Sequence, residues 1–174
     1  MKKMLAAVAI LMLAVMTGGV AQAADNTATQ NVTITVKEVA KLKATSVTVG
    51  ITIDAPTTAG EDPSVTITDN NNTCGYTSIV VSGQTRKLTG STDSDLSTKG
   101  ISLTLLPEGV PDGCGTASGT AVTLTTSGAD LITAIGSCKT GNKNITLTYG
   151  LTVSDITKLT AGSVPVTVTL TLTD

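Results

Sequence analysis

Chemistry in this chain has little to work with. Histidine, phenylalanine and tryptophan are absent, and the aromatic residues are two, Tyr76 and Tyr149. Without histidine the usual general base, triad member and zinc ligand are missing, which excludes Ser-His and Cys-His catalysis. Carboxylates remain, in pairs such as Glu61 with Asp62 and Asp93 with Asp95. A glycosidase would need two of them placed across a sugar, whereas loop carboxylates keep a surface wet without any such geometry. Calcium would draw oxygen ligands from Asp69 to Asn72 together with Glu61 and Asp62. No spacing here matches a calcium loop, however, and Asx side chains that bond their own backbone make the same residues turn formers. The sequons at Asn31, Asn71 and Asn144 are short enough to arise by chance in a threonine-rich chain. An enzyme cleft is normally lined with apolar and aromatic groups, and two tyrosines are a thin supply. The expectation is a non-enzyme with no catalytic residues, no cofactor and no metal.

The elements that would position these residues begin after an export signal. Lys2 and Lys3 are followed by the apolar run Met4 to Met16 and by the small and polar residues Thr17 to Ala23, with Ala21-Gln22-Ala23 as an A-x-A cleavage site. The apolar run is shorter than the roughly 20 residues a spanning helix needs. Residues 1–23 therefore read as a signal peptide, 24–30 as a flexible lead and 31–174 as one domain, secreted and with no membrane insertion once the signal is removed. About one residue in five is threonine, 17 are glycine, and the net charge is −2 with only 14% charged residues. That balance offers no basic patch of the kind that neutralises phosphates, so nucleic acid is not expected as a partner.

Export bears on the cysteines. Cys74, Cys114 and Cys138 are an odd number in an oxidising compartment, so at most one internal disulfide forms and one thiol is left over. Cys114 and Cys138 lie in the glycine-rich stretches GCG and GSCKTG. A bridge between them would close a loop of about 25 residues, worth roughly 3 kcal/mol in the chain-entropy model. That pairing, with Cys74 left over, is the first expectation. Cys74 with Cys114 is the second, and a bridge between molecules through the spare thiol is the third.

Threonine and valine are β-branched and fit a pleated surface. Alternation is clearest at the end of the chain, where Val164, Val166, Val168, Leu170 and Leu172 share one face and Pro165 and four threonines share the other. Pro165 cannot donate to a ladder, so continuous pairing is expected from Thr167 to Thr173. Asn31 to Lys37, NVTITVK, is a shorter copy with Val32, Ile34 and Val36 on one face. Between these ends lie strand signals over Ser46 to Asp54, Ser64 to Thr68, Tyr76 to Ser82, Ile101 to Leu106, Thr120 to Thr126 and Lys143 to Val153. Gln84 to Thr89 reads as a polar strand at an edge or facing solvent, and parity leaves Ala129 to Ile135 open between a strand and a helical turn. The sum is an all-β chain, a single antiparallel β-sandwich (Ig-like or pilin-like) of about nine or ten short strands.

The closing arrangement Leu159-Thr160-Ala161-Gly162-Ser163 followed by VPVTVTLTLT resembles the last strand of secreted bacterial pilin-type subunits, of the spore-coat-U-like and chaperone–usher fimbrial kinds. NVTITVK is similar to the donor strands by which such subunits complete a neighbour. The resemblance implies a non-catalytic structural subunit of an extracellular fibre, coat or matrix. Its partners would be further copies of itself or other surface and fibre subunits. The terminal strands either exchange between chains, which gains main-chain hydrogen bonds at open edges, or pair within their own domain. A secreted adhesion or ligand-binding module of the glycan type is the alternative, and two tyrosines on one exposed face would favour it.

Overall fold

A computed structural model describes residues 29–174, apart from 46–47, 69, 71 and 142–144. The expected signal peptide, 1–23, and most of the lead that follows it lie outside the described residues. The chain falls into two units, Met1–Thr35 and Val36–Asp174. In the first, residues 29–35 belong to no strand, and Val32 and Ile34 are 77% and 82% exposed. The strand expected over Asn31 to Lys37 is therefore not formed: the alternation is present, but residues 31–37 lie in no strand.

The second unit is made of strands, with no α-helix among its described residues. They are β1 (Val39–Ala44), β2 (Gly50–Asp54), β3 (Ser64–Thr68), β4 (Asn72–Ile79), β5 (Arg86–Thr92), β6 (Ile101–Glu108), β7 (Thr116–Ala117), β8 (Val122–Thr123), β9 (Ala129–Ile135), β10 (Cys138–Lys139), β11 (Ile145–Val153) and β12 (Val168–Thr173). One sheet runs β1-β4-β11-β6-β8, with β10 also on β4; a second runs β12-β5-β9-β7; β2 and β3 form a separate hairpin. Every ladder is antiparallel. The count exceeds the nine or ten expected because β7 and β10 are two-residue strands that carry too little alternation to read and because β1 lies where the alternation slips after Glu38 and no strand is expected.

Burial follows the period of two. β4 and β5 alternate buried and half-buried along their whole length. Leu88, Leu105, Leu131, Ile132, Ile135 and Ile145 are fully buried in one core cluster that draws on both larger sheets. Each contributes about 1.5–3 kcal/mol of apolar burial. β5 corrects the reading of Gln84 to Thr89 as an edge or solvent-facing strand, since it lies between β12 and β9. One leucine and a glycine suffice there. A Cβ at Gly90 would come within 3.0 Å of Leu124 and 3.1 Å of Leu131, so the bare backbone is what lets those leucines close over the strand.

Parity could not decide Ala129 to Ile135 because its ladder slips. Opposite β5, the register steps from Arg86↔Ile135 to Leu88↔Ile132 and then to Thr89↔Asp130, leaving an extra residue on β9 at each step. Ala134 takes a left-handed φ of 54° at the first slip. Bulges of this kind re-aim side chains, and here they bury the neighbours Leu131 and Ile132 together. Asn70, from the cluster expected to make turns, bonds across to β11. Its side-chain amide donates to the Tyr149 carbonyl at 3.0 Å and accepts from the Tyr149 N–H at 2.9 Å, standing in for a strand partner on β11.

Candidate functional site

The two chain-end segments of the second unit meet on one flank. β1 is the outermost strand of one sheet and β12 of the other, and the two touch. β12 pairs with β5 from Val168↔Thr92 to Thr173↔Lys87, and the Asp93 N–H donates to the Thr167 carbonyl at 3.1 Å. Pairing thus begins at Thr167, as Pro165 requires. Val168, Leu170 and Leu172 turn half-buried toward the core, as does Val166 ahead of the strand, while Val164 is 44% exposed outside it. On their other sides β1 and β12 have no partner strand among the described residues. Neither NVTITVK nor β11 is the neighbour of the final strand; β5 is.

Arg86 ties this flank together. Its side chain is 6% exposed, yet its Nη1 donates to the carbonyls of Val39 at 3.0 Å and Ile79 at 2.9 Å and to Ser78 Oγ at 3.4 Å. Nε meets Asp174 Oδ1 at 2.7 Å and Nη2 meets Glu38 Oε2 at 3.5 Å. A guanidinium satisfies this arrangement because its donors form a planar fork. One side chain from β5 therefore fastens the start of β1, the end of β4 and the last residue of the chain. Sequence reasoning gave Arg86 no role; a lone arginine in a chain of few charges was the available signal.

The cysteines gather around Tyr76. Cys74 and Tyr76 face inward from β4, and the Tyr76 hydroxyl donates to the Cys114 carbonyl. Cys138 stands opposite Ser78, next along the same inward row, with its thiol beside that of Cys114. All three are free thiols. Burial pushes the Cys74 thiol up to about 11. The Cys138 thiol is raised by burial first, then by its hydrogen bond with Cys114 and by repulsion from that group. Burial also raises the Tyr76 phenol, with smaller contributions from the three cysteines. Cys74 is 1% exposed, which removes it from reach of a second molecule.

Asp93, Asp95 and Asp155 are occupied locally, while Glu61 and Asp62 stand exposed on the loop between β2 and β3. Asp95 accepts from Ser97 N at 3.0 Å and Ser97 Oγ at 2.8 Å, capping a 3-10 turn over Leu96–Lys99. Asp155 does the same for Ile156–Lys158 through Thr157. Hydrogen bonds from Ser97 and from Thr157 hold these two carboxyls below the usual range, and the Thr167 backbone does so for Asp93. A carboxyl lowered in the folded state stabilises the fold above its unfolded value near 3.9, and that contribution is lost as pH falls through the lower folded value. The urea midpoint should therefore drop between pH 5 and pH 3, and the D95N/D155N double variant should drop less. Among the described residues no group of acidic residues and cysteines is placed to hold a metal ion. Tyr76 is buried and Tyr149 half-buried, so the two do not form an exposed aromatic face. No protein-family model matches the chain, and no curated protein or solved structure does so either.

Proposed function

We propose that the protein is a non-catalytic, secreted structural subunit of an extracellular fibre, coat or matrix, a pilin-like β-sandwich that assembles by adding a terminal strand to a neighbour. The observation that carries this reading is the run Val32, Ile34 and Val36, 70–82% exposed and in no strand, in a molecule whose β1 and β12 are left as sheet edges among the described residues. Between the two edges, β12 is the better acceptor. β1 carries Lys41 and Lys43, and edge lysines blunt strand addition, whereas Val164 to Thr173 has no charge at all. Electron microscopy of the secreted protein should show fibres or ordered aggregates, which Ile34→Asp should abolish while leaving the domain folded. A strictly monomeric wild-type protein would sink the proposal. The alternative adhesion module of the glycan type loses its aromatic platform with the burial of Tyr76.

The adjacency of Cys114 and Cys138 supports the first of the expected pairings. A disulfide-donating oxidant would accept the two electrons, the two thiol protons passing to its reduced form, and the bridge would enclose β7, β8 and β9. The raised Cys138 thiol reacts slowly because the thiolate is the nucleophile, and Cys114 is buried, so oxidation belongs to folding, before the sulfurs are covered. Peptide mapping of the secreted protein should find Cys114 joined to Cys138 and Cys74 free; a free Cys138 would overturn the pairing.

A further inference from the structure

Among the nine basic residues outside the signal segment, Lys143 lies outside the described residues. Ion pairs occupy Arg86, Lys87 and Lys158. Five described cations remain without a carboxylate partner among the described residues: Lys37, Lys41, Lys43, Lys99 and Lys139. Three of these five converge. In the ladders, Lys41 of β1 is directly opposite Thr77 of β4, and Thr77 is directly opposite Lys139 of β10. Directly paired residues share a face, and the inward face of β4 belongs to Cys74, Tyr76 and Ser78. Lys41 and Lys139 therefore stand on the outer face, on either side of the Thr77 hydroxyl, about 10 Å apart at two strand spacings. Lys43 stands next in line, opposite Gly75.

This row borders an open groove of about 650 Å³ whose lining also includes Thr73, Thr77 and Gly75 and contains no carboxylate. The groove has a reason to exist at Gly75. A Cβ there would come within 2.9 Å of Thr140 Oγ1, which is fixed by bonds to the Tyr76 N–H and carbonyl. The floor beside the lysines thus offers bare backbone at Gly75 and the hydroxyls of Thr73 and Thr77, with Leu42 and Ala44 also in the lining. Three ammonium groups with no carboxylate partner among the described residues, beside threonine hydroxyls, suit a ligand that presents spaced anionic groups and hydroxyls together.

We infer that this groove binds an acidic polysaccharide, its carboxylates held by Lys41, Lys43 and Lys139 and its hydroxyls by Thr73 and Thr77. A membrane surface fits less well, because the unburied apolar side chains bordering the groove, half-buried Leu42 and the short Ala44, offer no large exposed group to enter a bilayer. A nucleic acid would want exposed rings for its bases, and the groove's one ring, Tyr76, is buried. The inference goes beyond the fibre-subunit reading and does not depend on it, since it is measured as binding and not as assembly. The test is titration of the full secreted protein with polygalacturonate, with its methyl-esterified form, with inorganic phosphate and with phosphatidylglycerol vesicles. Polygalacturonate should bind, the ester should not, and K41Q/K43Q/K139Q should weaken binding at least tenfold while Lys99→Gln leaves it unchanged. Binding should also fade as salt shortens the screening length from about 10 Å at 0.1 M to about 3 Å at 1 M. Equal binding of the ester, tighter binding of the vesicles, saturation by phosphate alone, or a triple variant that differs only in solubility would overturn the inference. Circular dichroism identical to wild type establishes that the triple variant is folded.

Discussion

Replacing Arg86 with alanine is expected to lower the unfolding free energy by about 3 kcal/mol, the range measured when a buried ion pair loses one partner. Most of this comes from the inner contacts. The carbonyls of Val39 and Ile79 lose charge-assisted bonds, each worth about 1.5–3 kcal/mol, and part of that returns as the opened end hydrates. Glu38 and Asp174 are 51% and 84% exposed, so their share is screened and small. Arg86→Lys keeps the charge but not the fork and should recover about half. Urea denaturation measures both variants. An alanine variant within about 0.5 kcal/mol of wild type, the range of ordinary surface substitutions, would show that the flank holds without its arginine. Hydrogen exchange should locate the loosening in β1 and in the last residues of β12.

Gly100→Ala should be at least as damaging. Gly100 has φ 72°, and a Cβ there would lie 2.1 Å from the Asp155 carbonyl oxygen, too close for any relaxation confined to side chains. The left-handed backbone costs a non-glycine residue about 1–2 kcal/mol, and overpacking adds about 1–3 kcal/mol, for a total of about 3 kcal/mol. The site is a junction. The Gly100 carbonyl accepts from Ser154 N at 2.8 Å and Asp155 N at 3.1 Å, and its N–H donates to Ser97 O at 3.1 Å. Both 3-10 turns and the β6–β11 pairing converge on it. The double variant G100A/D155A should be no better than G100A, because the clash is with backbone; rescue by the second change would contradict this account.

What was legible in the sequence was local. Ser64 to Thr68 matches β3 to the residue, and the Thr167 start of the final pairing followed from Pro165. Periodicity reports which side chains share a face, and it served wherever a ladder keeps its register. It failed at β9, where two slips in the ladder erase the alternation, and at NVTITVK, where the alternation exists outside any strand. Partners are long-range facts. That Gly100 closes on Asp155, that Arg86 reaches Asp174, and that Lys41 and Lys139 flank one threonine are set by how strands from distant parts of the chain line up. A chain whose charges total −2 also gave no hint of a basic groove, because a sum over the sequence is blind to where cations gather.

The way the three cysteines close around Tyr76 gives the molecule an optical consequence. With no tryptophan or phenylalanine, the aromatic part of its near-ultraviolet spectrum comes from two tyrosine rings, one sealed beneath the Cys114 loop and one half-covered on β11. Opening that loop would change the first ring's signal while leaving the second nearly as it was. The intact protein thus carries, without any label, a spectroscopic gauge of whether its interior and its thiols are covered.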